Sequence, residues 1–286
     1  MPYANVRGAT IHYEVIGTKG PWVALSPGGR RAIEGVESLA KRIAAAGYRV
    51  LVHDRRNCGS SDVFVEGTDT ENEVWADDLN ELLRQQNAAP AWVGGSSSGC
   101  RLAILTAMRH PRSVRGLLLW RVTGGLAAAK RLAQRYYGRY IPVAQKGGMA
   151  AICEFEEFAE RIRDRPENRE RLMKLDPARF AEVMKSWYER FIADAEKPVI
   201  GATEAEIRAI RVPTCIVPGN DLSHLRSAAE NLGRLLPDAE VHLLVTKHYD
   251  LDVAPRDEWD AKEGDLAAIF LNHMKKVEAR QPAKAG

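Results

Sequence analysis

The stretch Ala91-Trp92-Val93-Gly94-Gly95-Ser96-Ser97-Ser98-Gly99-Cys100 decides the reading of this chain. Trp92 and Val93, bracketed by Pro90 and Gly94, form the pattern of a short buried strand. Cys100 to Arg109 (CRLAILTAMR) reads as an apolar helix. Between them lies Gly95-Ser96-Ser97-Ser98-Gly99, a G-x-S-x-G. A serine on a sharp strand-to-helix turn is held exposed at the end of a sheet, and the turn is too tight for bulk two residues before or after it. The free N–H groups of the following helix point at such a serine and suit a developing negative charge. Ser97 is therefore the candidate nucleophile. As bare composition, the same residues also fit a flexible linker. The strand before and the helix after favour the turn, and the glycine offsets favour Ser97 over Ser96 and Ser98.

Outward from this turn, strands alternate with helices. Thr10 to Ile16 (TIHYEVI) alternates as an edge strand, and Trp22 to Leu25 is a short buried one ending in Ser26-Pro27-Gly28-Gly29-Arg30. A helix is expected near Val36 to Ala46, then a strand over Tyr48 to His53, leading into Asp54-Arg55-Arg56-Asn57-Cys58-Gly59-Ser60-Ser61-Asp62. Glu71 to Gln86 carries Val74, Trp75, Leu79, Leu82 and Leu83 at helical spacing. Arg115 to Val122 is another buried strand. From Gly124 to about Ile210 the pattern is helical and rich in charge, with Glu157–Arg161 and Glu167–Arg171 spaced as i,i+4 pairs. Thr214 to Pro218 resumes the strands. A helix over Ala228 to Leu236, a strand over Val241 to Val245 and a helix over Trp259 to Met274 close the chain, leaving 275–286 as a loose tail.

This alternation predicts a mostly parallel central sheet covered by helices on both faces, with residues 124–205 inserted as a helical cap and 1–123 with 206–286 forming the core. A block in that position reads as a lid over the end of the sheet where sites lie. The 286 residues suit one large domain carrying such an insertion, and the 45% hydrophobic and 28% charged composition is globular. A net charge of +3, with arginines spread along the chain, argues against nucleic acid. No apolar run approaches a membrane span, and the N-terminus lacks the apolar core of a signal peptide. The 4 cysteines show no metal-type spacing, and Cys100 and Cys215 fall in apolar, core-like segments. A cytoplasmic protein acting on a small molecule, with neither nucleic acid nor membrane as partner, is the expectation. A homo-oligomer is compatible with it.

Four pieces together resemble the α/β-hydrolase family over most of the chain. Pro27-Gly28-Gly29 is similar to the family's His-Gly-x turn, with proline in place of histidine. Asp54 to Ser61 resembles its D-x-R-G-x-G-x-S loop, with Asn57 for a glycine. Gly95 to Gly99 is its nucleophile elbow. Val217-Pro218-Gly219-Asn220-Asp221 resembles the strand and loop that carry the acid, with Asp221 one residue closer to Gly219 than is commonest. The resemblance implies an α/β-hydrolase fold and the order serine, acid, histidine, which Ser97, Asp221 and His248 satisfy. It also implies an oxyanion hole from the N–H groups of Ser98 and Gly29.

A serine hydroxyl needs a base in hydrogen-bond reach, and the base needs an orienting group. Of 7 histidines, His248 alone follows the last expected strand and precedes the last helix, so it is the expected base. His224, three residues after Asp221, is the fallback that braces the Asp221 loop. Asp250 and Asp252 rival Asp221 as the acid. Arg30, Arg31 and Arg121 follow strand ends and suit a substrate carboxylate or carbonyl. Trp187, with Tyr136, Tyr137, Tyr140 and Tyr188, suits an apolar pocket wall or packing within the cap.

Two functions fit. One is a serine hydrolase cleaving a carboxylic ester or lactone of a small organic molecule through an acyl-serine. An amide, a peptide at an N-terminal proline, or a C–C bond in a dioxo acid is the variant of that chemistry. It requires no metal and no organic cofactor, and a serine at the elbow disfavours an aspartate nucleophile. The other is a ligand-binding protein on the same fold without catalysis.

Overall fold

The computed structural model describes residues 2–280. Its strands are β1 (Tyr3–Val6), β2 (Ala9–Ile16), β3 (Trp22–Ser26), β4 (Arg49–His53), β5 (Ala91–Ser96), β6 (Val114–Trp120), β7 (Thr214–Val217) and β8 (Ala239–Val241). They form one sheet in the order β1-β2-β4-β3-β5-β6-β7-β8. β1 and β2 pair antiparallel, as do β2 and β4, and every later pair is parallel.

The sheet is buried on both faces because its strands alternate two apolar sets. Ala24, Leu51, Val93, Leu117, Leu119 and Ile216 point into one core. Helices α2 (Glu71–Gln85), α3 (Ser98–Arg109) and α10 (Arg226–Leu235) close that core through Leu79, Leu82, Leu102, Leu105 and Leu232. Val23, Leu25, Val50, Val52, Trp92, Leu118 and Cys215 point the other way, onto α1 (Glu37–Ala45), α11 (Arg256–Ala261) and α12 (Glu263–Arg280). α2 begins at Thr70 with a capping box to Glu73.

Between β6 and β7 the chain builds α4 (Leu126–Ala133), a π-helical turn over Gln134–Gly138, α5 (Tyr140–Glu154), α6 (Glu156–Asp164), α7 (Glu167–Met173) and α8 (Pro177–Ala193), then a short α9 (Glu204–Ala209). α4 to α8 pack on one another around Tyr137, Tyr140, Phe158, Phe180, Trp187 and Phe191. This helical block is tied to the loop after β4. Asp62 pairs with Arg165 at 2.7 Å and Arg171 at 3.0 Å, and the buried Asn168 donates to Ser61 O and accepts from Val63 N.

Several local expectations need correction. β2 is internal, since the shorter β1 covers it; Arg7 and Gly8, both at positive φ, make the two-residue turn between them. Only one residue of β1 is buried, which leaves it little apolar signature. β8 ends at Val241, so the chain expected as strand to Val245 is irregular. The closing helix is two, broken at Lys262, and the second runs to Arg280; residues 281–286 of the expected tail lie outside the described residues. Neither i,i+4 pair forms. The Glu157 carboxylate goes to Arg139, Arg161 donates to the Glu157 carbonyl, and Arg171 goes to Asp62.

Candidate active site

Ser97 stands at the end of β5 with φ 54° and ψ −110°, a strained conformation for a residue with a side chain. The glycines beside it explain how the turn is possible. A Cβ on Gly95 would lie 2.6 Å from the Gly99 backbone, and one on Gly99 would lie 2.3 Å from Ser26 O. β5, β3 and the start of α3 thus meet closer than any side chain permits. The buried Cys100 thiol braces the turn from below, donating to Gly95 O and Trp120 O.

The imidazole beside Ser97 belongs to His224. Its Nε2 lies 2.9 Å from Ser97 Oγ, and its Nδ1 lies 2.7 Å from Asp221 Oδ1. Gly219 makes this possible: the loop after β7 folds back so tightly that a Cβ on Gly219 would lie 2.3 Å from the His224 Cβ. Asp221 and His224 close that turn as an isolated β-bridge. Asp221 is fully buried, and its carboxylate accepts from the N–H groups of Ser223 and His224 on Oδ1. On Oδ2 it accepts from Ala254 N–H at 2.8 Å and Arg121 Nη2 at 2.9 Å. Burial alone would push this carboxyl up. The hydrogen bond and charge of His224, the Ala254 amide and Arg121 outweigh it and hold the group well below the usual carboxylate range.

The tautomer follows. Nδ1 faces an ionised carboxylate and must donate, so the neutral ring offers the Nε2 lone pair to Ser97. Ser97 Oγ has a second partner, Thr123 Oγ1 at 3.0 Å. Since Ser97 has one proton to give, and gives it to Nε2, the Thr123 hydroxyl donates to Ser97 Oγ. Burial pushes His224 down, its bond to Asp221 pushes it up, and the nearby Arg121 charge pushes it down again; the net is a value below ordinary histidine. The imidazole is therefore unprotonated at neutral pH.

His248, the expected base, is not in this group. It is exposed, in the irregular loop after β8. Asn220 holds that loop on both sides of it, donating to Lys247 O at 3.0 Å and accepting from Tyr249 N at 2.8 Å. With β8 ending early, this anchoring leaves the side chain on the outer surface while the β7 loop fills the space beside Ser97. Asp250 is exposed, and Asp252 pairs with Arg131 at 3.1 Å, so neither rival reaches the imidazole.

The two expected oxyanion donors sit together. Neither the Gly29 nor the Ser98 amide has an acceptor among the described residues. Arg55, which is 1% exposed, ties their two segments by donating to Ser98 Oγ at 2.9 Å and to Gly29 O at 2.8 Å, while stacking over Trp75. The Asp54-Arg55-Arg56 run was the signal for it in the sequence. Thr123 follows β6 with no motif to mark it.

A cavity of about 800 Å³ opens above Ser97 and His224, lined also by Gly29, Arg31, Arg121, Tyr136 and Tyr140. Arg30 lines it, but its guanidinium is held bidentate by Glu71 at 2.7 and 2.5 Å. Arg121 lines it while engaged to Asp221. Trp187 does not line it. That side chain donates to Asp69 O at 2.9 Å, packs on Tyr137 and borders a separate space of about 220 Å³, because α8 turns this face toward the loop before α2. Among the described residues no group of three or more His, Cys, Asp and Glu side chains could hold a metal ion, and no helix is long and apolar enough to cross a membrane.

Residues 22–140 match the family described as alpha/beta hydrolase fold. An uncharacterized hydrolase, YraK, from Bacillus subtilis (strain 168) is 34% identical over 110 residues. That match spans 38% of this chain and only 40% of the relative's length. An enol-lactonase from Burkholderia xenovorans LB400 superposes with a TM-score of 0.61 at 21% identity, over 94% of this chain and 100% of that one. A thermophilic esterase from Thermogutta terrifontis superposes with a TM-score of 0.63 at 20% identity, over 95% and 97% of the two chains. At these identities the solved structures speak for the fold.

Proposed function

We propose that this chain, which has the alpha/beta hydrolase fold, is a serine hydrolase acting on a carboxylic ester or lactone of a small organic molecule. The observation that carries this is the continuous relay Ser97 Oγ to His224 Nε2 at 2.9 Å and His224 Nδ1 to Asp221 Oδ1 at 2.7 Å. His224 takes the Ser97 proton as Oγ attacks the acyl carbon, and Asp221 stabilises the imidazolium. The Gly29 and Ser98 amides receive the oxyanion. The imidazolium then protonates the leaving oxygen. Water, deprotonated by the same ring, attacks the acyl-serine and releases the acid. The helical block from α4 to α8 acts as the lid over this chemistry.

An esterase and an enol-lactonase among the structural relatives support the acyl-oxygen variant, and meta-cleavage product hydrolases among them keep C–C cleavage as the second reading. A serine-directed fluorophosphonate tests the proposal. Stoichiometric labelling of Ser97, lost in Ser97→Ala and in His224→Gln, is the expected result. A folded protein that resists the reagent would leave the ligand-binding reading in its place.

A further inference from the structure

Inside the lid one charge is left without a counterpart. Arg161, on α6, is 4% exposed and lines the same cavity as Ser97 and His224. Its Nη1 donates to Glu157 O, its guanidinium lies 5.3 Å from the Phe158 ring centre, and its buried Nε has no partner. No carboxylate pairs with it among the described residues. The nearest candidate on its own helix, Glu157, is taken by Arg139. Guanidinium cannot shed its proton to escape burial. A cation–π contact recovers less than the cost of moving an ion out of water. Contacts within the protein therefore leave Arg161 under-compensated.

Its surroundings deepen the imbalance. Arg30, Arg55 and Arg101 are also withdrawn from solvent on this side of the sheet. The buried carboxylates near them are Glu71, which Arg30 engages, and Asp54, which accepts from His12 and from the amides of Ile33 and Ser60. Glu34, Glu160, Asp164 and Asp260 line the cavity at its exposed rim, and Glu157 and Glu263 line it while paired with Arg139 and Arg42. Of the arginines withdrawn from solvent that line the cavity, Arg30 and Arg121 are paired with Glu71 and Asp221, and Arg161 is left without a carboxylate among the described residues.

We propose that the substrate of this site carries a carboxylate remote from the scissile bond, and that Arg161 receives it while the acyl carbon sits at Ser97. The inference rests on the serine-hydrolase reading. The missing partner of the buried guanidinium is then supplied by the ligand, through charge-assisted hydrogen bonds on a planar fork that matches a carboxylate.

The test pairs two esters of equal acyl length, neutral 4-nitrophenyl valerate and anionic mono-4-nitrophenyl glutarate, on the full chain. Fluorophosphonate labelling of Ser97 is followed with and without free glutarate. The wild type is expected to favour the anionic ester in kcat/KM by about tenfold or more, as a charged hydrogen bond implies, and glutarate should slow labelling. Arg161→Met, which keeps the packing volume, should abolish both effects, and Arg161→Lys should restore part of each. A wild type that labels at Ser97 yet shows no anionic preference and no glutarate protection overturns the anion inference and leaves the hydrolase reading standing. The anion inference falls equally if the preference survives in Arg161→Met. Failure of Ser97 to label overturns the hydrolase reading and this inference with it. If Arg161→Met does not fold, the wild-type preference and protection decide the matter.

Discussion

Two loops leave neighbouring strands at the same end of the sheet, and they are built in opposite ways. After β7, Pro218 to Asp221 are buried, and the chain doubles back to set His224 against Ser97. After β8, Thr246 to Val253 are almost all exposed, His248 among them. The β8 loop still serves the site, through its backbone. Leu251 O and Asp252 O accept from Leu222 and Ser223, and Ala254 N–H donates to Asp221 Oδ2. So the position in chain order that would supply a base instead clamps the acid. A tight Asp-x-x-His turn places both members of the relay at once. Position along the strands shows where a base can arrive, and hydrogen-bonding geometry decides which residue does.

The sharpest way to break this comparison is to exchange the two imidazoles' fates. His224→Gln should abolish turnover as fully as Ser97→Ala does. In a comparable triad either loss is about a millionfold in kcat. His248→Gln should leave kcat/KM near wild type. Both are read as initial rates on folded proteins with an activated ester. A crippled His248→Gln beside an active His224→Gln would return the base to the β8 loop. Asp221→Asn sits one step below. Its loss is expected to be about 10⁴-fold, because the ring can then settle in the wrong tautomer.

The sequence made the sheet legible because apolar alternation and the turn residues agree at each buried strand from β3 to β7. The elbow was legible for a stronger reason: Gly95 and Gly99 are demanded by backbone contacts under 3 Å, and such demands leave a spaced motif. His224 was legible only as the fallback base and a brace for its loop, since a one-turn separation from Asp221 looks local until Gly219 is seen to fold the loop back. Trp187 misled because an aromatic at helical spacing faces either a cavity or a neighbouring helix. β1 escaped because a four-residue strand with one buried side chain has almost no pattern to read. Arg161 read as half of an i,i+4 pair; its burial depends on how the five helices α4 to α8 stack, which no local spacing encodes.

A smaller effect is expected at Arg121, which joins the acid of the β7 loop to the end of β6. His224 must be neutral to act, so the rate rises with pH through its ionisation. Burial and the Arg121 charge hold that midpoint below the ordinary histidine value of about 6.5. Arg121→Met removes one of the lowering influences, so the acid limb of the kcat/KM profile should move to higher pH. An upward move of about one pH unit lowers the rate about tenfold on the acid side and little at pH 8. Arg121→Lys, which keeps the charge, should move the limb less. An acid limb unmoved in Arg121→Met would show that the ion pair at 2.9 Å only secures the loop.

The smallest expected effect lies at Thr123, and it separates the hydroxyl's role from simple packing. Thr123 Oγ1 sits 3.0 Å from Ser97 Oγ and is 6% exposed. While Ser97 donates to His224, the Thr123 proton points at the nucleophilic oxygen and holds the serine rotamer in line with the imidazole. Thr123→Val keeps the shape and removes the donor. The loss should be about two- to tenfold, the scale of one hydrogen bond between neutral groups. It should appear in kcat with little change in KM, since the contact is to Ser97 and not to the bound chain. Thr123→Ser should recover most of the rate. A near-wild-type rate in Thr123→Val beside a loss in Thr123→Ser would trace the effect to the methyl's packing instead.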